Sequence, residues 1–227
     1  MASQPGFSLE CSLPTGEVLS PGEVDAWELK AARRGLQNLK TLLEGQAMLD
    51  LLTKQIEEGD AYFKGIIAKS KGQFNESRID FKAIGITSSQ FLKWQTNNGR
   101  RQFFLDSMAP AHPEHYALGP YPMGIVETIG NHICRVRVDN VVEVPDFVKA
   151  YGDASYNNKM PVTGFLDDGT LFFYGFQELR DTDDGCDFRF QIIFPAAAPP
   201  VLFDEHAENL AIEFRSWIAT AFESHQK

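Results

Sequence analysis

Two of the chain's five histidines stand three residues apart in "AHPEHYALG", residues 111–119. His112 precedes a proline, and His115 follows a glutamate. A third, His206, falls on the inward stripe of a helical pattern near the C-terminus. In "GIVETIG", Glu127 is an acid set between Val126 and Ile129. Imidazole nitrogen and carboxylate oxygen are the usual ligands of a catalytic Zn2+. Two histidines and a carboxylate from separate segments also suit general acid–base chemistry. Each residue has a plainer reading as well. His112 can shape a turn, Glu127 can pair with Arg135 or Arg137 on the next strand, and His206 can be a satisfied core histidine. The chain has no GxGxxG after a strand, no GxxxxGK[ST], no HExxH and no GxSxG. Those absences count against nucleotide-binding, zincin and serine-hydrolase chemistry.

These residues must be positioned by elements that the apolar spacing predicts. From Val24 the pattern is helical, with Leu29, Leu36, Leu39 and Leu43 on one stripe and Gly45 as a stop. Met48, Leu49, Leu52 and Ile56 form a second stripe that runs on toward Ile66 and Ile67. "RIDFKAIGI" alternates as a half-buried strand does. Thr87 or Ser88 can then cap a helix whose inner face carries Phe91 and Trp94. "HICRVRV", "LFFYGFQEL" and "FRFQIIF" read as strands, and "LDDGT" and "DTDDGCD" as turns between them. From about Leu202 to Ser224 an amphipathic helix carries Phe203, His206, Leu210, Phe214, Trp217 and Ala221 inward.

Helices, an antiparallel meander and one long terminal helix predict an α+β fold. The boundaries drawn from the pattern are an irregular segment 1–22, a helical element 23–72 and a main α+β domain 73–227. A curved antiparallel sheet wrapping the last helix would leave a cavity between them. The 18 phenylalanines suit either a Phe-rich core or an aromatic pocket for a planar ligand. The N-terminal helices pack alongside, as a cover over the cavity mouth or as a homodimer contact.

Composition narrows the function classes. Of 227 residues, 43% are hydrophobic and 23% charged, with a net charge of −10. That acidic balance argues against nucleic-acid or anionic-lipid partners, which need a basic field. No apolar run approaches the ~18 residues of a membrane span. The first residues, "MASQPGFSLECSLPTG", lack a basic, apolar leader pattern. Cys11, Cys134 and Cys186 are scattered, which fits a reduced, cytoplasmic setting.

Taken in order, "GITSSQFLKW", "HPEHY", "IVETIG", "VPDFV" and a late helix with a histidine resemble the phloretin hydrolase and diacetylphloroglucinol hydrolase family. The resemblance spans about residues 78–222. It implies a Bet v 1-like (START-like) domain and hydrolysis of a carbon–carbon bond between an acyl group and a phenolic, polyketide-like ring, a step of secondary metabolism. It implies a Zn2+ held by His112, Glu127 and His206, with His115 beside it handling protons or water. Tyr174 and Tyr116 are the catalytic candidates for binding the phenol or carbonyl oxygens. The family's terminal helix carries H-x-x-x-E, and here the glutamate position is Leu210. That departure raises a metal-free cyclase, isomerase or dehydratase using the same His and Glu groups. A non-catalytic carrier of a small aromatic ligand is a third reading.

Overall fold

The computed structural model describes residues 10–96, 107, 109–118, 124–141 and 143–226. They form two compact units, 1–42 and 43–227.

In the first unit two short strands, β1 (Cys11–Ser12) and β2 (Val18–Leu19), pair antiparallel. The helix α1 (Pro21–Leu42) follows. Its start is fixed by a reciprocal capping box. The Ser20 N–H and hydroxyl donate to Glu23 Oε2, both at 2.8 Å, and the Glu23 N–H donates back to Ser20 Oγ at 3.3 Å.

The second unit begins with α2 (Gln46–Ser70). Then come β3 (Phe74–Ile84), α3 (Ser88–Thr96), the single turn α4 (Ala109–Ala111), β4 (His115–Leu118), β5 (Gly124–Ile129) and β6 (His132–Asn140). The short helix α5 (Asp146–Lys149) precedes β7 (Asn158–Phe165), β8 (Leu171–Asp181) and β9 (Gly185–Pro195), and the long helix α6 (Pro200–His225) closes the unit. The strands make one antiparallel sheet in the order β3-β9-β8-β7-β6-β5-β4.

The sheet is curved, and α6 lies in its concave face. The helix packs on β3 at one edge and on β5 near the other. Five strand spacings of ~4.8 Å separate those two strands in a flat sheet, roughly twice a helix diameter. One helix reaches both only if the sheet curls around it. The alternation in β9 supplies the grip. Phe188, Phe190 and Phe194 are buried, and Phe190 stacks on Phe214 of α6 with ring centres 3.5 Å apart. Phe91 and Trp94 of α3 join this core, and a Thr87–Gln90 capping pair starts that helix. The other face of β8 and β9 is also covered: Phe176 and Ile193 pack with Val144 and Val148 around α5.

α2 belongs to the second unit and packs on β6. Met48, Leu49, Leu52 and Ile56 cluster with Val126 of β5, and Phe63 and Ile66 with Cys134 and Val136 of β6. The approach is close enough that a Cβ on Gly59 would run into the Ile133 carbonyl.

Candidate active site

The turn before β4 is held at both ends. Ser216 Oγ on α6 donates to the Ala111 carbonyl at 3.2 Å, tying α4 to the helix. Pro113 then presets the turn, and the His115 N–H donates to the His112 carbonyl at 3.3 Å. His115 opens β4, where the register sets it opposite Glu127 of β5, and Glu127 in turn opposite Cys134 of β6. The imidazoles of His112 and His115 lie 5.2 Å apart. His206 arrives from α6 with its ring edge-on to Phe194 at 4.7 Å.

The structure therefore brings His112, His115, Glu127 and His206 together, and it adds two residues that the sequence reading missed. Glu213 and Asn209 lie on α6, seven and three residues after His206. Helix geometry sets all three along one side. His115 Nε2 stands 3.3 Å from Glu127 Oε2 and 4.0 Å from Glu213 Oε1. The six residues are between 2% and 8% exposed.

Burial sets the electrostatics. It pushes the Glu213 carboxyl up to about 7; His115 opposes that shift, and the Glu127 charge adds to it. Burial also pulls His206 down to about 4, so its imidazole is neutral at neutral pH. Glu127 feels the same desolvation, but the His115 imidazole beside it outweighs this and holds the carboxyl below the ordinary value. The site thus holds one ionised carboxylate and one carboxyl poised near neutrality, the divergence that marks an acid–base pair. The Cys134 thiol is pushed far up by burial and by Glu127, which rules it out as a nucleophile at neutral pH.

The side chains as placed do not fit the zinc shell that the resemblance implies. A ligating histidine presents a bare ring nitrogen and donates through the other one. His112 does the reverse: the Glu114 N–H donates to its Nδ1 at 3.1 Å, so Nε2 carries the proton in the neutral ring. His115 and Glu127 face each other at ion-pair distance. No three His, Cys, Asp or Glu groups among the described residues are spaced to hold an ion. Leu210 packs in the apolar core with Phe214.

The structure does not bring Tyr116 or Tyr174 to this cluster. Tyr116 follows His115 in β4 and so points the other way; it packs in the α2 cluster, with its hydroxyl 3.0 Å from Thr128 Oγ1. Tyr174 pairs with Ile193 on the sheet face covered by α5, against Phe74 and Phe147. Arg135 and Arg137 pair with Asp167 and Asp139 rather than with Glu127.

No family model matches the chain, and no curated protein matches it. Among solved structures, it is similar to the crystal structure of Ara h 8.0201, with a TM-score of 0.44 and 7% identity, over 66% of this chain and 99% of that one. The fold class rests on this chain's own strand order and on α6 in the concave face. No helix among the described residues is long and apolar enough to cross a membrane.

Proposed function

We propose that the chain is a hydrolase that cleaves the carbon–carbon bond between an acyl group and a phenolic, polyketide-like ring, using water activated by His115. One observation supports this most. Five ionisable side chains and one amide are buried together in an otherwise apolar core, and four of them are the residues singled out by the resemblance. Burying such groups costs several kcal/mol unless they are fully paired, so their grouping marks a functional site.

The chemistry follows from the protonation states. An acyl phenol becomes cleavable when a proton adds to the ring carbon bearing the acyl group and the neighbouring hydroxyl gives up its proton to solvent, because the ring is then a ketone. Glu213 carries a proton up to about pH 7 and is the acid for that carbon. His115, whose charged form Glu127 stabilises, takes a proton from water as the oxygen adds to the acyl carbonyl. The carbon–carbon bond then breaks with its electron pair moving into the ring, which regains aromaticity as a phenolate and takes up a proton from solvent. The acyl group leaves as a carboxylic acid, and the proton on His115 returns to Glu213 through solvent.

The test is incubation with monoacetylphloroglucinol. Equimolar phloroglucinol and acetate are expected, with rates falling about a hundredfold or more in His115→Ala and Glu127→Gln. No cleavage by the unaltered protein would sink the reading. An acid and a base, with no metal-spaced group among the described residues, would also serve a ring-closing or isomerising enzyme. A product of unchanged or dehydrated mass would favour that second reading.

A further inference from the structure

Two buried atoms of the cluster have no hydrogen-bond partner among the described residues: Asn209 Nδ2 and His206 Nδ1. Asn209 is 7% exposed and His206 6%. They stand at i and i+3 on α6, so their side chains share one face of the helix. Glu213 continues that face one turn beyond Asn209. A buried amide N–H2 without an acceptor is destabilising, and nearly all such groups in folded proteins find a partner.

The rest of the site offers Asn209 no role in proton transfer, because an amide does not titrate. It is a fixed donor in a dry site whose ionised group, Glu127, is an acceptor only. A donor there favours an oxygen that gains negative charge during reaction. In the reaction proposed above, that oxygen is the ring hydroxyl oxygen beside the acyl group. It becomes a ketone when the ring carbon is protonated and a phenolate when the bond breaks.

We propose that Asn209, with His206 beside it, forms the subsite that binds this ring oxygen, so that the chain selects aryl ketones carrying a hydroxyl next to the acyl group. The inference rests on the acyl-phenol reading and adds the group that recognises the phenol. Asn209 is a specificity residue that touches substrate, and the proton transfers belong to other residues.

The test compares two probes on the full chain by calorimetry, in a His115→Ala background that blocks turnover. One probe is monoacetylphloroglucinol, and the other is acetophenone, which lacks the ring hydroxyls. With Asn209→Leu, affinity for the hydroxylated probe should fall up to about tenfold, the worth of one hydrogen bond, and affinity for acetophenone should hold. Equal weakening of both probes, or of neither, would overturn the subsite. If the His115→Ala protein binds neither probe, the acyl-phenol reading falls and takes the subsite with it. Urea unfolding gives a second readout. Asn209→Leu should raise the midpoint, because it removes an unpaired buried amide; a lower midpoint would make Asn209 a structural residue and overturn the proposal.

Discussion

Glu213 gives the most direct quantitative test of the buried cluster. Its carboxyl is raised from 4.5 to about 7, chiefly by burial. At about 1.36 kcal/mol per pH unit, that shift is a destabilisation of about 3 kcal/mol once both folded and unfolded chains are ionised. The sign follows from proton counting. As pH rises above 4.5 the unfolded chain loses the Glu213 proton first, while the folded chain keeps it to about 7. Stability attributable to Glu213 therefore falls between those values and is constant above them. His206, lowered from 6.5 to about 4, works the other way: stability is lost as pH falls through that window. Between 4.5 and 6.5 the two slopes cancel in the unaltered protein. Glu213→Gln keeps the shape and removes the titration. Compared by urea unfolding, it should equal the unaltered protein near pH 4.5 and exceed it by about 3 kcal/mol near pH 8. Its stability should also fall as pH drops below 6.5, where His206 is no longer balanced. The Glu127 contribution is common to both proteins and drops out of the difference. No gain near pH 8, or the same gain at every pH, would refute the claim that burial holds this proton.

Three further outcomes follow from the same geometry. Turnover should decline as pH rises through about 7, where Glu213 loses its proton, and a rate that climbs instead would remove Glu213 as the acid. Gly59→Ala should destabilise the fold by about 1–3 kcal/mol, because the added methyl meets the Ile133 carbonyl and Cys134 Sγ; an unchanged unfolding midpoint would contradict the packing of α2 on β6. Protein purified without added metal should hold far less than one zinc per chain by elemental analysis. Near-stoichiometric zinc that is lost in His206→Ala and Glu213→Ala would overturn the acid–base arrangement.

The strands legible in the sequence were those with one dominant apolar alternation, such as Phe188, Phe190 and Phe194 in β9. The terminal helix was legible too, because Leu210, Phe214, Trp217 and Ala221 repeat at three and four residues. Tyr174 was misplaced for a physical reason: β8 is covered on both faces, so "LFFYGFQEL" has no polar side to reveal which residues turn toward α6. Glu213 was missed because it adjoins Phe214 and is charged, and charge reads as outward. The available signal was its distance of seven residues from His206, two helical turns along one side. Asn209 left no signal of its own, since only the structure shows that it is buried with its Nδ2 unpaired among the described residues.

A second buried carboxylate sharpens what sets the site apart. Glu178 is fully buried on the α5 side of the sheet, more so than Glu213. It is matched group by group: Lys159 Nζ lies at 2.7 Å, and the Asp153 N–H and Gln191 Nε2 donate to it at 2.9 and 3.2 Å. A buried charge met this way fastens a loop to a sheet. The described residues offer Glu213 only His115 Nε2, at 4.0 Å, and leave His206 Nδ1 and Asn209 Nδ2 without partners. The two acids have the same chemistry and similar burial, and they differ in what answers them. Three donors meet Glu178 and one imidazole at 4.0 Å faces Glu213, a contrast that supports placing the function beside α6. The same contrast explains why removing Glu213 should strengthen the fold, whereas removing Glu178 should leave the buried Gln191 Nε2 and the Asp153 N–H without their acceptor and weaken it.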